Sequence, residues 1–155
     1  MKTTLGILGV FFVGCLWAAG NGDVQVFAPS KPREGVFFTY TGYMTTVLEL
    51  KDGHFRYWFE SDVKLPKEPA YPLTGQYTLM GETIVLNHDH IFQKQWTYRA
   101  INGVTALWRP DAVSGITTLT DAELKRILRY GAGSILVAVE KPAEEVWRER
   151  RAPRQ

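Results

Sequence analysis

One cysteine, Cys15, and three histidines are all the thiol and imidazole chemistry in the 155 residues of this chain. A single thiol excludes an intrachain disulfide. Because Cys15 lies inside the N-terminal apolar stretch, cysteine catalysis and thiolate metal centres are excluded from the folded domain as well. No Gly-x-Ser-x-Gly elbow occurs, and with it the usual platform for a hydrolase nucleophile is missing. A charge excess of either sign is also lacking. The formal net charge is +2, but residues 148–155 hold four arginines against Glu149, a net +3, and Lys2 adds one more at the other end. What lies between is about −2, so a nucleic-acid groove is not supported. Long apolar runs are scarce too. The single one, Leu5 to Trp17, spans thirteen residues, short of the roughly 20 that a membrane-spanning helix needs.

That run, preceded by Met1-Lys2-Thr3-Thr4 and followed by Ala18-Ala19-Gly20, has the positive, apolar and small-residue order of an export signal. Residues 1–20 are therefore expected to be a signal peptide cleaved before Asn21, which directs the chain to the periplasm or the extracellular space. The alternative is a loose lipobox in which Cys15, after Phe12-Val13-Gly14, is lipidated and ties the chain to the envelope. A membrane contact is expected only through that anchor.

The remainder is long enough for one domain with its own core. Residues 21–39, with Pro29, Pro32 and the apolar Val24-Gln25-Val26-Phe27, read as a linker or an edge strand. Asp52-Gly53 then separates Tyr43–Leu50 from Phe55–Phe59, Met80-Gly81-Glu82 separates Gly75–Leu79 from Thr83–Asn87, and Asn102-Gly103 separates Gln95–Ile101 from Val104–Trp108. Tight turns between β-branched and aromatic runs are hairpin signals. Period-two alternation places Met44, Thr46, Leu48, Leu50, Phe55, Tyr57 and Phe59 inward. Thr120-Asp121-Ala122-Glu123 is a capping box opening a helix over 121–130, with Leu124, Ile127 and Leu128 on one stripe. Ser134–Glu140 reads as a buried final strand, and Pro142 starts a short helix through Trp147 before a basic tail that ends the chain at residue 155. The fold class is thus mostly β: an antiparallel meander forming a barrel or half-barrel over residues 40–141, with one C-terminal helix and a final strand.

Thr41-Gly42-Tyr43, Leu48-Glu49-Leu50, Asp52-Gly53, Phe55-Arg56-Tyr57, Thr74-Gly75-Gln76-Tyr77, Gly81, Ile84 and Leu86 together resemble the small exported lipocalin-like barrel domains of uncharacterised bacterial envelope proteins. The resemblance covers roughly residues 40–110. It implies an up-and-down barrel and no particular chemistry.

Candidate functional residues follow from the scaffold. Tyr57, Phe59, Tyr77, Trp96 and Tyr98, with Phe92, can line an apolar pocket at a barrel mouth or simply fill the barrel. Trp58, one step out of phase, faces outward, under a helix or loop or as a contact surface. His88 and His90, two apart and in phase with Ile84 and Leu86, can offer two imidazoles to a metal, with Asp62 or Glu68 of the proline-rich loop as further ligands. His54 is expected far away, at the first hairpin turn. The function these features favour is a non-enzymatic envelope module that binds a small apolar ligand, a cell-wall component or an envelope protein, with no cofactor. The alternative is a metal-dependent or acid–base enzyme built on His88 and His90. The export reading has a direct check: mass spectrometry of the exported protein is expected to find Asn21 at the N-terminus, and a lipidated Cys15 there would overturn it.

Overall fold

Three hairpins with tight turns set the local register. The computed structural model describes residues 26–27, 34–62, 69–111 and 120–151; the expected signal peptide, Cys15 and Asn21 lie outside the described residues. Strands β1 (Val26–Phe27), β2 (Gly35–Tyr40), β3 (Met44–Lys51), β4 (His54–Ser61), β5 (Leu73–Met80), β6 (Thr83–Leu86), β7 (Gln95–Ile101) and β8 (Val104–Trp108) precede helix α1 (Asp121–Tyr130). Strand β9 (Ile135–Val139) and helix α2 (Ala143–Arg151) follow it. At Asp52-Gly53 and Asn102-Gly103 both central residues have positive φ, the type I′ geometry whose twist matches the flanking strands. At the β5–β6 turn Gly81 alone does, with φ 62°.

Strands β2 to β9 form an eight-stranded closed antiparallel barrel in which every strand neighbours the next in sequence. Closure comes from β9, which pairs with β8 and with β2, through Val36 opposite Val139, Phe37 opposite Ala138 and Phe38 opposite Val137. Strand β1 adds to the far end of β7, beyond the reach of the short β6. The expectation of a linker or edge strand across residues 21–39 is therefore corrected for Gly35–Tyr40, a central strand with partners on both sides. Its Val36 to Thr39 are all buried. A strand covered on both faces shows no alternation, and the period-two signal cannot find it.

Two cores result. Phe37, Leu48, Leu50, Phe55, Ile84, Leu86, Tyr98, Leu107 and Leu136 fill the barrel. Outside it, Phe38, Val47, Trp58, Trp108 and Val137 pack under Leu124 and Ile127 of α1 and Ala143 and Val146 of α2. The expected inward register holds, since Leu48, Leu50, Phe55 and Tyr57 are buried in the interior cluster and Phe59 packs against it. Trp58 faces outward and is covered, with the Arg56 guanidinium 5.3 Å from its ring centroid. Arg56 also pairs with Glu49 across the strands and with Glu144 of α2, pinning the helix to the barrel wall.

The capping box forms as expected: Thr120 Oγ1 accepts from the Glu123 amide at 3.3 Å, and the Glu123 carboxylate accepts from the Thr120 amide at 2.8 Å. Gly131 ends α1 with φ 73°, where a Cβ would lie 2.6 Å from the Ile135 carbonyl oxygen and 2.8 Å from Thr39 Cα. Only glycine lets the chain turn back so close to β2. The C-terminal helix runs to Arg151 rather than ending at Trp147. Part of the expected basic tail is thereby taken into the fold, because the Arg150 guanidinium lies 5.0 Å from the Phe38 ring and 5.7 Å from those of Tyr40 and Tyr130. Weakly hydrated guanidinium suits such aromatic surroundings. Arg154 lies outside the described residues.

The register is testable by contrast. Leu48→Ala, which empties a fully buried site in the barrel, is expected to cost about 2–5 kcal/mol. Gln76→Ala, on the exposed outer face of β5, should stay within about 0.5 kcal/mol. Denaturant melts that show equal losses would mean a register wrong by one residue.

Candidate functional site at the barrel mouth

Hairpin parity sorts the loops. The turns at 52–53, 81–82 and 102–103 share one end of the barrel, so the connections β2–β3, β4–β5, β6–β7 and β8–α1 share the other. At that second end lies a cavity of about 540 Å³, within the roughly 300–1,000 Å³ range of small-molecule sites. Met44 and Thr46 at the start of β3, and Tyr57 and Phe59 on β4, form one wall. Pro69 and Tyr71 enter from the β4–β5 connection, and Asp89, His90, Phe92 and Gln93 from the β6–β7 connection. Trp96, Arg109 and Gly133 complete it.

Trp96, Tyr71 and Arg109 of the wall are held by their neighbours. The Trp96 indole Nε1 donates to the Gln93 carbonyl at 3.1 Å, fixing the ring and the loop together. Ile91, 1% exposed, turns from the same loop into the barrel and plugs the space beneath, while the adjacent Phe92 is 89% exposed at the rim. Tyr71 packs against Trp147 of α2, centroids 6.4 Å apart, so the outer helix backs the cavity wall. Arg109 reaches Asp111 with both Nε, at 3.0 Å, and Nη2. Burial pushes the Tyr57 hydroxyl well above the ordinary tyrosine range; nearby Tyr71 adds to the rise and a hydrogen bond with Thr46 opposes it. The phenol stays protonated, a neutral group in an apolar site.

Of the aromatic candidates, the cavity brings together Tyr57, Phe59, Trp96 and Phe92. Tyr98 is instead core, 1% exposed with its ring edge-on to Phe37 at 6.1 Å. Tyr77 belongs to the other end, where its hydroxyl donates to Glu34 Oε1 at 3.2 Å. Inward phase was right for both; the level along the barrel was not readable from one strand.

The histidines require a larger correction. Strand β6 stops at Leu86, where the His88 amide bonds back to the Leu86 carbonyl at 3.2 Å and the Leu86 amide bonds to the Lys94 carbonyl at 2.8 Å. Beyond that turn, alternation no longer governs side-chain direction, and His90 is exposed at the rim rather than inward. His88 Nδ1 accepts from the His90 amide at 3.2 Å, and the two rings are 5.6 Å apart. Nor is His54 remote along the barrel. Strand β5 overhangs β4, so Phe55 is level with His88, ring to ring at 6.4 Å. His54 is separated by facing instead: Phe55 is in the interior core, and the exposed His54 alternates to the outside. Among the described residues no group of three metal-ligating side chains converges. Asp62 is exposed, and Glu68 lies outside the described residues.

Sequence reasoning missed Tyr71 and Arg109 as wall residues and took Met44 and Thr46 as filled core. The signal that finds them is hairpin parity, which assigns every loop to an end before any contact is known. Comparison with protein-family models, curated proteins and solved structures yields no match for this chain.

Burial of the tyrosines has a consequence at high pH. A hydroxyl whose folded pKa is raised stabilises the fold fully below its unfolded value, about 10, and that contribution is lost as pH rises above it. Tyr57 and Tyr98, both raised first by burial, are expected to make stability fall steadily as pH rises above about 10. Urea melts across that range should show a shallower decline for Tyr57→Phe; an unchanged slope would mean that the hydroxyl is solvated.

Proposed function

We propose that this protein is an exported, non-enzymatic barrel that binds a small apolar ligand at its mouth. The observation that carries this reading is the cavity itself: about 540 Å³, with Tyr57, Phe59, Tyr71, Phe92 and Trp96 in its wall, and placed where the longer connections gather. Rigid strands supply Thr46, Tyr57, Phe59 and Trp96, and loops supply the rim, the division of labour expected of a binding site. A compact cavity favours a small ligand over a cell-wall polymer or an envelope protein as the primary occupant. The export half of the reading rests on the order of charge, apolar run and small residues in Met1–Gly20.

Gly133 offers the cleanest test. A Cβ there would meet only Met44 Cε, at 3.9 Å, so a side chain can start from Gly133 without strain, and Gly133→Trp is expected to direct an indole into the mouth that Gly133 lines. Fluorescence titration with Nile red, an apolar dye, is expected to show saturable binding to the natural chain. The Gly133→Trp variant should bind at least about tenfold more weakly, a loss of about 1.4 kcal/mol, with an unchanged melt. Equal dye affinity in both proteins would remove the cavity from consideration.

A further inference from the structure

The barrel interior is divided along its axis by side-chain type, and the division speaks to what the mouth can hold. Phe37, Leu48, Ile84, Leu86, Ile91 and Leu107, each at most 1% exposed, occupy the deeper space. An extended chain entering from the mouth therefore has no channel to follow. Among the described residues the wall of the cavity above has no leucine, isoleucine or valine; its apolar surface comes from Tyr57, Phe59, Tyr71, Phe92, Trp96 and Met44, with Pro69. Those rings come from β4, β7 and two different loops, so they surround the space rather than line one side. Ring faces and edges attract other rings beyond what buried area gives, and a thioether makes favourable contacts with aromatic edges. At the base, the hydroxyl-bearing side chains of Thr46 and the buried Tyr57 line the same space.

Resting on the binding reading above, we infer that the ligand class is a compact ring system, aromatic or fused, carrying a hydroxyl or carbonyl group that meets Thr46 and Tyr57, and not an acyl chain. The rim does not select for charge. Arg109 is already paired with Asp111, and Asp89 has Lys94 3.7 Å away. Among the described wall residues, a carboxylate head would therefore meet only the already paired Arg109 and the exposed His90.

The test uses two ten-carbon probes, 2-naphthol and decanoate, titrated calorimetrically into the full exported chain. 2-Naphthol is expected to bind at least about tenfold more tightly, the factor that about 1.4 kcal/mol supplies. Phe92→Leu, at a site so exposed that folding does not depend on it, should weaken 2-naphthol by about threefold while leaving decanoate unchanged. Decanoate binding as tightly as 2-naphthol, or more so, would overturn the ring class and leave the cavity-binding reading standing. Saturable binding of neither probe, together with Nile red indifferent to Gly133→Trp, would defeat both. Equal weakening of both probes by Phe92→Leu would show that area alone, not ring contact, is recognised.

Discussion

The β2–β9 seam is the contact on which everything else depends. Three residue pairs, Val36 with Val139, Phe37 with Ala138 and Phe38 with Val137, join strands a hundred residues apart and convert a meander into a barrel. Without the seam, β2 and β9 would each present an unpaired edge, the liability that barrels remove by closing. It also sets two cores at once. Phe37 enters the barrel while Phe38 lies outside under the helices, so one short strand anchors both packing layers. Forming it requires closure of a loop of about a hundred residues, an entropic cost that local hairpins avoid.

The outer helices serve the interior. Helix α2 is fastened by the Arg56–Glu144 pair, by Arg150 among three aromatic rings, and by Val146 in the outer core. Through Trp147 it then presses on Tyr71, which packs against both cores and walls the cavity. Surface ion pairs contribute little by themselves, and the helix is held mainly by the apolar face that it buries. The opposite flank, Thr74, Gln76 and Thr78 of β5, is left to solvent. Cover on one side and exposure on the other explain why β2 and β9 read as continuous apolar runs while β5 alternates.

Inside the barrel, packing and function divide the length between them. Below the cavity the interior is occupied by buried side chains, Ile91 among them. The end with long connections keeps an open space, walled by rings set on strands and loops. A site of this kind needs the rigid strands for position and the loops for access.

Much of this was legible from the residues. Asp52-Gly53, Asn102-Gly103 and Gly81 determined three hairpins and their registers, because a two-residue turn and a period of two leave no freedom to slip. Thr120 and Glu123 determined the start of α1, and Trp58, out of phase with its neighbours, announced a covered outer face. These are local interactions, complete within about a dozen residues. The barrel's stagger was not local. How far β5 overhangs β4 decided that His88 lies level with Phe55, that Tyr77 belongs to one end and Tyr57 to the other, and that Tyr98 is core. Strand β2 escaped notice because both its faces are buried, and Tyr71 and Arg109 joined the cavity wall only through the end of the barrel their loops reach. The sequence by itself determined each hairpin and the helix start; closure, stagger and the cavity were decided by pairing between distant strands, which leaves no signature in any short stretch of chain.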